Sequence, residues 1–343
     1  MTTRRCACLL AAVAAICVIG STGAAAFSIE TIDSAARTLP RLHSLLVSRH
    51  GELIFERYYN GTQPGRAANI KSAAKSVISA LVGIAIERRV IADVRTPIVT
   101  FFPELARDTD VAKQKITVED LLTMRSGLEG TSNRNYGAWV TSRNWVQHAL
   151  ARPMFAPPGE MMEYSTGNTH LLSAILTKAS GRSTWQFANE VLAKPLGFTL
   201  PQWPRDPQGI YFGGNDMLLT PRQLLSFGEL YLNRGRVNGR QIVPAEWVDV
   251  SFVARTQSRW SDQLYGYGWW VRELAGHDAY FAWGYGGQYA FVVPGLDLVI
   301  AALAIEKVGP AKTLDQVRAF TAVQGVAAIR FDGGIDNHIP EAV

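Results

Sequence analysis

The chain has little cysteine and little charge. Its three cysteines, Cys6, Cys8 and Cys17, all lie near the start of a sequence of 343 residues. A chain that loses this segment has no cysteine, which excludes disulfides, a thiolate nucleophile and a cysteine-ligated metal. Charged residues make up 18% of the sequence, the net charge is +5, and no basic run is present, so nothing indicates a nucleic-acid-binding protein.

Several sequence motifs that carry chemistry are also absent. The sequence has no G-x-S-x-G, no P-loop and no G-x-G-x-x-G. Its histidines show no metal-ligand spacing such as H-E-x-x-H, so we expect no metal or cofactor and assign the histidines to the surface or to packing. The hydrophobic fraction of 48% is ordinary for a globular protein, and the length suffices for one large or two medium domains.

The first 26 residues have the pattern of an export signal. Two arginines precede a mostly apolar stretch (8–20), and Ala24–Ala26 supply a small-residue cleavage site. Cleavage there would lower the net charge from +5 to +3 and would place the protein in the periplasm or outside the cell. The alternative is an uncleaved anchor, which would make the membrane a partner. The polar break at 21–23 favours cleavage.

Apolar patterning predicts strands near both ends of the chain and helices between them. Residues 42–59 have the pattern of a β-hairpin, and the sequence from 266 to 302 that of a meander of strands, followed by a helix at 313–329. We therefore expect an α/β (α+β) fold with one antiparallel sheet flanked by helices. The expected domains are a signal peptide, an α/β domain in two pieces and an inserted, mostly helical domain: 1–26, 27–95 plus 208–343, and 96–207.

One S-x-x-K sequence opens an apolar helical run. Ser72 and Lys75 are three residues apart, which places them on one face of a helix with about 5–6 Å between their Cβ atoms. Residues 77–86 are apolar nearly all round, as in a helix that is buried on most sides. A hydroxyl and an amine held together with little water form the setting of an activated nucleophile. The alternative is an N-capping serine followed by an ordinary surface lysine.

Two distant segments carry further candidate residues. Tyr164 lies in a turn-rich loop, where its phenolic oxygen can donate or accept a hydrogen bond; the alternative is a tyrosine that only packs. The segment Trp283–Gln288 joins two predicted strands, and its glycines permit close approach of the backbone to a ligand. A strand edge beside the nucleophile can offer an N–H group to an oxyanion, whereas the alternative is a plain glycine-rich hairpin.

In this order, the three segments resemble the serine β-lactamase/penicillin-binding superfamily, specifically its class C-like branch. That branch also holds D-amino-acid peptidases, carboxylesterases and 6-aminohexanoate-oligomer hydrolases. Two further stretches are similar to the family's sequence, 116–128 between the first two motifs and 213–224 after the second. The resemblance runs from residue 45 to residue 302 and implies the β-lactamase/transpeptidase-like fold.

The resemblance assigns a role to each residue of the first two motifs. Ser72 matches the nucleophile, Lys75 its partner base and Tyr164 the tyrosine of the second motif. In the implied mechanism Lys75, with Tyr164 nearby, takes the Ser72 proton, since a buried lysine loses its own proton more easily than a free one. Ser72 then forms an acyl-enzyme, Tyr164 relays a proton to the leaving group, and water hydrolyses the ester. No metal, nucleotide or other cofactor is implied.

The third motif implies the oxyanion and substrate contacts. Tyr285-Gly286-Gly287 stand where the family usually has Lys-Thr-Gly or His-x-Gly, and the backbone N–H of Gln288 would join that of the nucleophile as an oxyanion donor. Two departures bear on the activity. Thr166 stands where the second motif usually has an Asn that contacts the substrate amide. Tyr285 cannot supply the cation that meets the carboxylate of a β-lactam.

The sequence therefore predicts an exported serine hydrolase that cleaves a small-molecule amide or ester, closest to the esterase and 6-aminohexanoate-oligomer hydrolase type. One alternative is a β-lactamase or a D-alanyl-D-alanine carboxypeptidase. An alternative of another class is a non-catalytic penicillin-binding sensor that stays acylated. The presence of all three motifs favours an enzyme.

Overall fold

The computed structural model describes residues 29–304, except residues 260, 262 and 275. Two expectations therefore lie outside the described residues, namely the export signal at 1–26 and the closing helix at 313–329. Within the described ranges, no helix combines the length and the apolar character needed to cross a bilayer.

Strands from both ends of the described chain form one sheet. In chain order the strands are β1 (Leu42–Arg49), β2 (Glu52–Tyr58), β3 (Ala68–Asn69), β4 (Leu218–Leu219), β5 (Arg236–Val237), β6 (Arg240–Gln241), β7 (Thr256–Gln257), β8 (Leu264–Tyr265), β9 (Trp270–Leu274), β10 (His277–Gly284), β11 (Gln288–Val293) and β12 (Leu298–Ala304). The sheet has eight antiparallel strands in the order β2-β1-β12-β11-β10-β9-β8-β7, while β3 pairs with β4 and β5 with β6. The predicted hairpin and antiparallel sheet are confirmed.

Helices flank this sheet and fill the middle of the chain. In the described residues they are α1 (Ile29–Arg37), α2 (Ala74–Glu87), α3 (Val118–Leu122), α4 (Tyr136–Val140), α5 (Trp145–Leu150), α6 (Thr166–Ser180), α7 (Thr184–Ala188), α8 (Pro221–Leu232) and α9 (Ala245–Phe252). Helix α2 is buried from Ala74 to Ala85 and packs against α6, α9 and β10. Helix α8 lies on β1, β11 and β12, so both helices cover the same sheet and the expected α/β class is correct.

Strand β12, near the middle of the sheet, is apolar throughout because both faces of the sheet are covered there. All seven residues of β12 are buried. Successive side chains of a strand point to opposite faces, so Leu298 and Ile300 join one apolar cluster while Val299 and Ala301 join the other. The cluster that contains Val299 also contains the core side chains of α2, α6 and α8, and it anchors the helix that follows Ser72.

Two helical boundaries differ from the sequence pattern. The loop after Tyr164 is expected to lead into a helix near Thr169, but α6 already begins at Thr166. The hydroxyls of Thr131 and Ser132, from a distant segment, accept the N–H groups of Gly167 and Thr166 and so cap the earlier start.

The second difference lies in the segment 185–196, which the sequence pattern presents as one helix. Helix α7 ends at Ala188 and continues as a π-helical turn, Asn189–Ala193. The Asn189 side chain bonds both backbone groups of Leu200, which gives the widened turn a partner outside the helix.

Candidate active site

Ser72 and Lys75 are in hydrogen-bond contact at the start of the central helix. Ser72 lies in a short 3-10 helix, Lys71–Ala73, directly before α2. Lys75 Nζ is 3.1 Å from Ser72 Oγ. The same Nζ donates to the carbonyl oxygen of Gly214 at 2.7 Å and to Thr166 Oγ1 at 3.3 Å. The contact predicted from the S-x-x-K spacing is therefore present, with two further partners from distant segments.

Burial makes the Lys75 amine a base near neutral pH. Lys75 is only 2% exposed, and desolvation lowers its pKa from 10.5 to about 7. A neutral amine has two N–H groups and one lone pair. The Gly214 carbonyl can only accept, so it takes one N–H, and the Thr166 hydroxyl can take the other. The lone pair is then left for the Ser72 proton.

Tyr164 contacts both members of this pair. Its hydroxyl hydrogen-bonds with Ser72, and burial raises the pKa of Tyr164 to about 12, so the phenol stays protonated at neutral pH. The Tyr164 ring stacks on Trp270 with 5.8 Å between centroids, and Lys75 Nζ lies 5.0 Å from the ring centroid. The stacking fixes the direction of the hydroxyl, and the ring face favours a cation when Lys75 takes up a proton.

A polar clamp holds the backbone just before Ser72. Lys71 has φ of +52°, a left-handed conformation that is unusual for lysine. Asn69 Oδ1 accepts the Lys71 backbone N–H at 2.8 Å, and Asn69 Nδ2 donates to Asp216 Oδ1 at 2.6 Å. The Lys71 ammonium lies 3.5 Å from the same Asp216 oxygen. These contacts stabilise the strained turn that presents Ser72.

A buried histidine supports the carbonyl that holds Lys75. The N–H of Gly213 donates to His170 Nδ1 at 3.3 Å, which leaves the ring proton on Nε2 to bond Asp206 Oδ2 at 3.1 Å. Burial lowers the pKa of His170 against the opposing effect of Asp206, so the ring is held neutral. His170 therefore packs and positions the Gly213–Gly214 turn, in keeping with the packing role expected from the sequence.

The third motif forms the tight turn between β10 and β11. Gly286 and Gly287 have φ of +97° and +106°, which strongly favour glycine. The Gln288 side chain bonds both backbone groups of Ala304, at 2.9 and 3.0 Å, and so ties the turn to β12. Its predicted role as an oxyanion donor rests on its backbone N–H and stays a prediction.

Gly284 lets β10 approach the segment that carries Ser72. A Cβ atom at this position would lie 2.1 Å from the carbonyl oxygen of Ile70, two residues before Ser72. We expect Gly284→Ala to lower the free energy of unfolding by about 1–3 kcal/mol, because backbone atoms would have to move apart. Denaturant unfolding measures this change. Gly65→Ala is the matched control, since a Cβ there meets nothing within 4 Å. Equal stability of the two variants would contradict the close approach.

The site opens into a cleft with a volume of about 390 Å³. Aromatic rings and small polar groups line it: Ser72, Ser132, Asn133, Tyr164, Thr166, Ser258, Ser261, Trp270, Trp283 and Tyr285. None of these described residues is charged. Lys75 lies beneath this lining, and Tyr285 is 41% exposed at the rim. The cleft therefore suits a substrate whose groups beside the reacting bond are uncharged.

The structure brings four of the predicted site residues to the cleft wall: Ser72, Tyr164, Thr166 and Tyr285. Gly286, Gly287 and Gln288 lie in the adjoining turn and strand. Sequence reasoning missed Ser132, which lines the cleft and bonds Thr166, as well as the polar clamp around Asn69. Residues 213–224 resemble the family in sequence, but nothing in that stretch indicated a role for Gly214.

The fold and the family comparison define a β-lactamase-type serine hydrolase. A family model described as Beta-lactamase matches residues 42–322, which is most of the chain, so the protein belongs to the beta-lactamase family. A 6-aminohexanoate-dimer hydrolase of Paenarthrobacter ureafaciens is 24% identical over 313 residues, which cover 80% of this chain and 77% of that protein. The expected superfamily is confirmed.

Solved structures agree with this fold. A putative 6-aminohexanoate-dimer hydrolase from Bacillus anthracis is similar with a TM-score of 0.69 and 21% identity, covering 87% of this chain and 81% of that chain. EstCE1, a hydrolase with promiscuous acyltransferase activity, has a TM-score of 0.69 and 17% identity, covering 87% of this chain and 97% of its own. At these identities the likeness establishes the fold.

Proposed function

We propose that this protein is an exported hydrolase that cleaves an uncharged amide or ester through an acyl-enzyme on Ser72. The observation that carries the proposal is the 3.1 Å contact between Ser72 Oγ and the buried Lys75 amine, at the base of an uncharged, aromatic-walled cleft. Lys75 takes the hydroxyl proton while Ser72 Oγ bonds the substrate carbonyl carbon. The leaving group departs with a proton, and water then attacks the ester.

The cleft favours the esterase and 6-aminohexanoate-oligomer hydrolase type over a β-lactamase. Tyr285 stands at the rim where a cation would meet a β-lactam carboxylate, and no charged side chain of the described residues lines the cleft. The similarity to a 6-aminohexanoate-dimer hydrolase supports the same choice. Thr166 also leaves the site without the amide side chain that the second motif usually provides.

The test is hydrolysis of a panel by the purified protein and by Ser72→Ala. The panel holds p-nitrophenyl acetate and butyrate, 6-aminohexanoate dimer, nitrocefin and a D-Ala-D-Ala peptide. We expect turnover of an ester or of the linear amide that is lost in Ser72→Ala, together with a covalent adduct on Ser72 in the intact mass after rapid acid quench. Fast turnover of nitrocefin would refute the specificity inferred from Tyr285.

A matched control is available on the same helix. Ser79 lies two turns further along α2, is buried, and has a hydroxyl with no hydrogen-bond partner in the described part of the chain. Ser79→Ala should therefore keep both turnover and the adduct. A single burst of leaving group without turnover, in the wild-type protein, would favour the acylated sensor instead of an enzyme.

A further inference from the structure

A chain of hydroxyl groups leads from Lys75 to the cleft without passing through Tyr164. Lys75 Nζ donates to Thr166 Oγ1 at 3.3 Å, and Thr166 Oγ1 lies 3.0 Å from Ser132 Oγ. Ser132 lines the cleft, whereas Lys75 does not. A proton on Lys75 must therefore cross one hydroxyl, either that of Ser72 or Tyr164 or that of Thr166, before it meets a leaving group.

The donors and acceptors around Thr166 and Ser132 allow a direction of proton transfer that ends in the cleft. Ser132 Oγ accepts the backbone N–H of Thr166 at 2.9 Å. Either hydroxyl of the Thr166–Ser132 pair can be the donor, and a proton path from Lys75 uses the arrangement in which Thr166 Oγ1 accepts from Lys75 and donates to Ser132 Oγ. In that arrangement the Ser132 proton has no acceptor on Thr166 and can point to the cleft that Ser132 lines.

We propose that Thr166 and Ser132 form a second proton path from Lys75 to the leaving group. The proposal rests on the acyl-enzyme function above. When the C–X bond of the substrate breaks, Ser132 Oγ gives its proton to X, takes the Thr166 proton, and Thr166 takes one from the Lys75 ammonium. Lys75 is again neutral, so the step moves one proton and needs no other reactant.

Leaving groups of different basicity test the path. Ethyl butyrate loses an alkoxide, which needs a proton, while p-nitrophenyl butyrate has the same acyl group and loses a stable anion. Thr166 also bonds the Lys75 amine and both residues line the cleft, so each variant can slow both esters. We expect Ser132→Ala and Thr166→Val to lower kcat/KM for ethyl butyrate about 10–100-fold more than for p-nitrophenyl butyrate. The kcat/KM value reports acylation alone, so slow deacylation does not mask the difference.

Conservative and matched variants separate a proton path from a structural role. Ser132→Thr and Thr166→Ser keep the hydroxyls and should restore the wild-type ratio of the two esters. Thr131→Ala removes a hydroxyl that caps the same helix through Gly167 but does not contact Lys75. This variant should therefore lower kcat/KM for both esters equally or for neither. Thr166→Val keeps the side chain's shape and serves as the test if Ser132→Ala does not fold.

Two outcomes would overturn the proposal. In Ser132→Ala and Thr166→Val, kcat/KM would fall equally for both esters, or it would fall for neither. In both cases turnover that still depends on Ser72 would leave the proposed function intact. Turnover that persists in Ser72→Ala would instead remove the acyl-enzyme on which the path depends.

Discussion

Lys75→Met is expected to lower kcat/KM by about 10³–10⁵-fold, because Ser72 loses its base. In the wild-type protein the base is active only when neutral. Since the pKa of Lys75 is lowered to about 7, kcat/KM should rise with pH through an acidic limb near that value. Ester hydrolysis between pH 5 and pH 9 measures the limb, which should vanish in the residual activity of Lys75→Met.

The same variant is expected to stabilise the folded protein in acid. Burying the ammonium costs on the order of 5 kcal/mol, from 1.36 kcal/mol for each unit between pKa 10.5 and about 7. Loss of the hydrogen bonds to Gly214 and Thr166 offsets this by about 1 kcal/mol each, which leaves a gain of about 3 kcal/mol below pH 7.

The sign of the pH dependence follows from proton binding. Between pH 7 and pH 10.5 the unfolded chain holds the Lys75 proton and the folded protein does not, so the wild-type stability contributed by this group rises with pH. The gain in Lys75→Met should therefore shrink as pH rises. Comparing variant and wild type at each pH cancels the other titrating groups.

Lys113→Met is the matched control for the loss of activity and the gain of stability expected of Lys75→Met. Lys113 is also buried, but its ammonium lies 3.0 Å from Asp108. Removing a paired cation leaves a carboxylate without its partner, so this variant should lose stability and keep activity. If both variants gained stability, or if neither did, the description of Lys75 as an unpaired buried amine would be wrong.

Tyr164→Phe is expected to lower kcat/KM by about 10²–10⁴-fold while the protein stays folded. Phenylalanine keeps the stacking on Trp270 and the ring beside Lys75, so the loss isolates the hydroxyl that bonds Ser72. The acidic limb near pH 7 should remain, because it belongs to Lys75. The wild-type profile should show no basic limb from Tyr164 at pH 9, since its pKa is raised to about 12.

Tyr265→Phe provides the comparison for Tyr164. Its ring packs edge-on against Tyr164, and its buried hydroxyl has no hydrogen-bond partner in the described ranges. Losing an unsatisfied hydroxyl should leave kcat/KM unchanged and cost no stability. If Tyr164→Phe lost no more activity than Tyr265→Phe, the phenol of Tyr164 would have no part in proton transfer.

Local sequence patterns predicted the parts of the site that are close in the chain. The Ser72–Lys75 contact follows from helical spacing, and the hairpin at 42–59 from alternating apolar residues around a turn. The antiparallel sheet followed from the distribution of strands along the chain. The division into domains and the roles of the predicted site residues are still predictions.

Contacts between distant segments could not be predicted in the same way. Gly214 is 139 residues from Lys75, and Asp216 is 147 residues from Asn69. No spacing along the sequence predicts either contact, because the pairing of β3 with β4 brings the two segments together. The start of α6 was misplaced for the same reason, since its capping hydroxyls come from Thr131 and Ser132, 36 and 34 residues away.

Tyr285, at the rim of the cleft, should tolerate substitution better than the buried residues of the site. Lys75 and Thr166 are buried and bonded to distant segments, so we expect changes at these residues to alter folding as well as rate. Tyr285 is 41% exposed in a turn, where substitutions usually change stability by less than about 0.5 kcal/mol. If Tyr285 contacts the substrate as proposed, we expect substitutions at this one residue to change substrate range at little cost in stability.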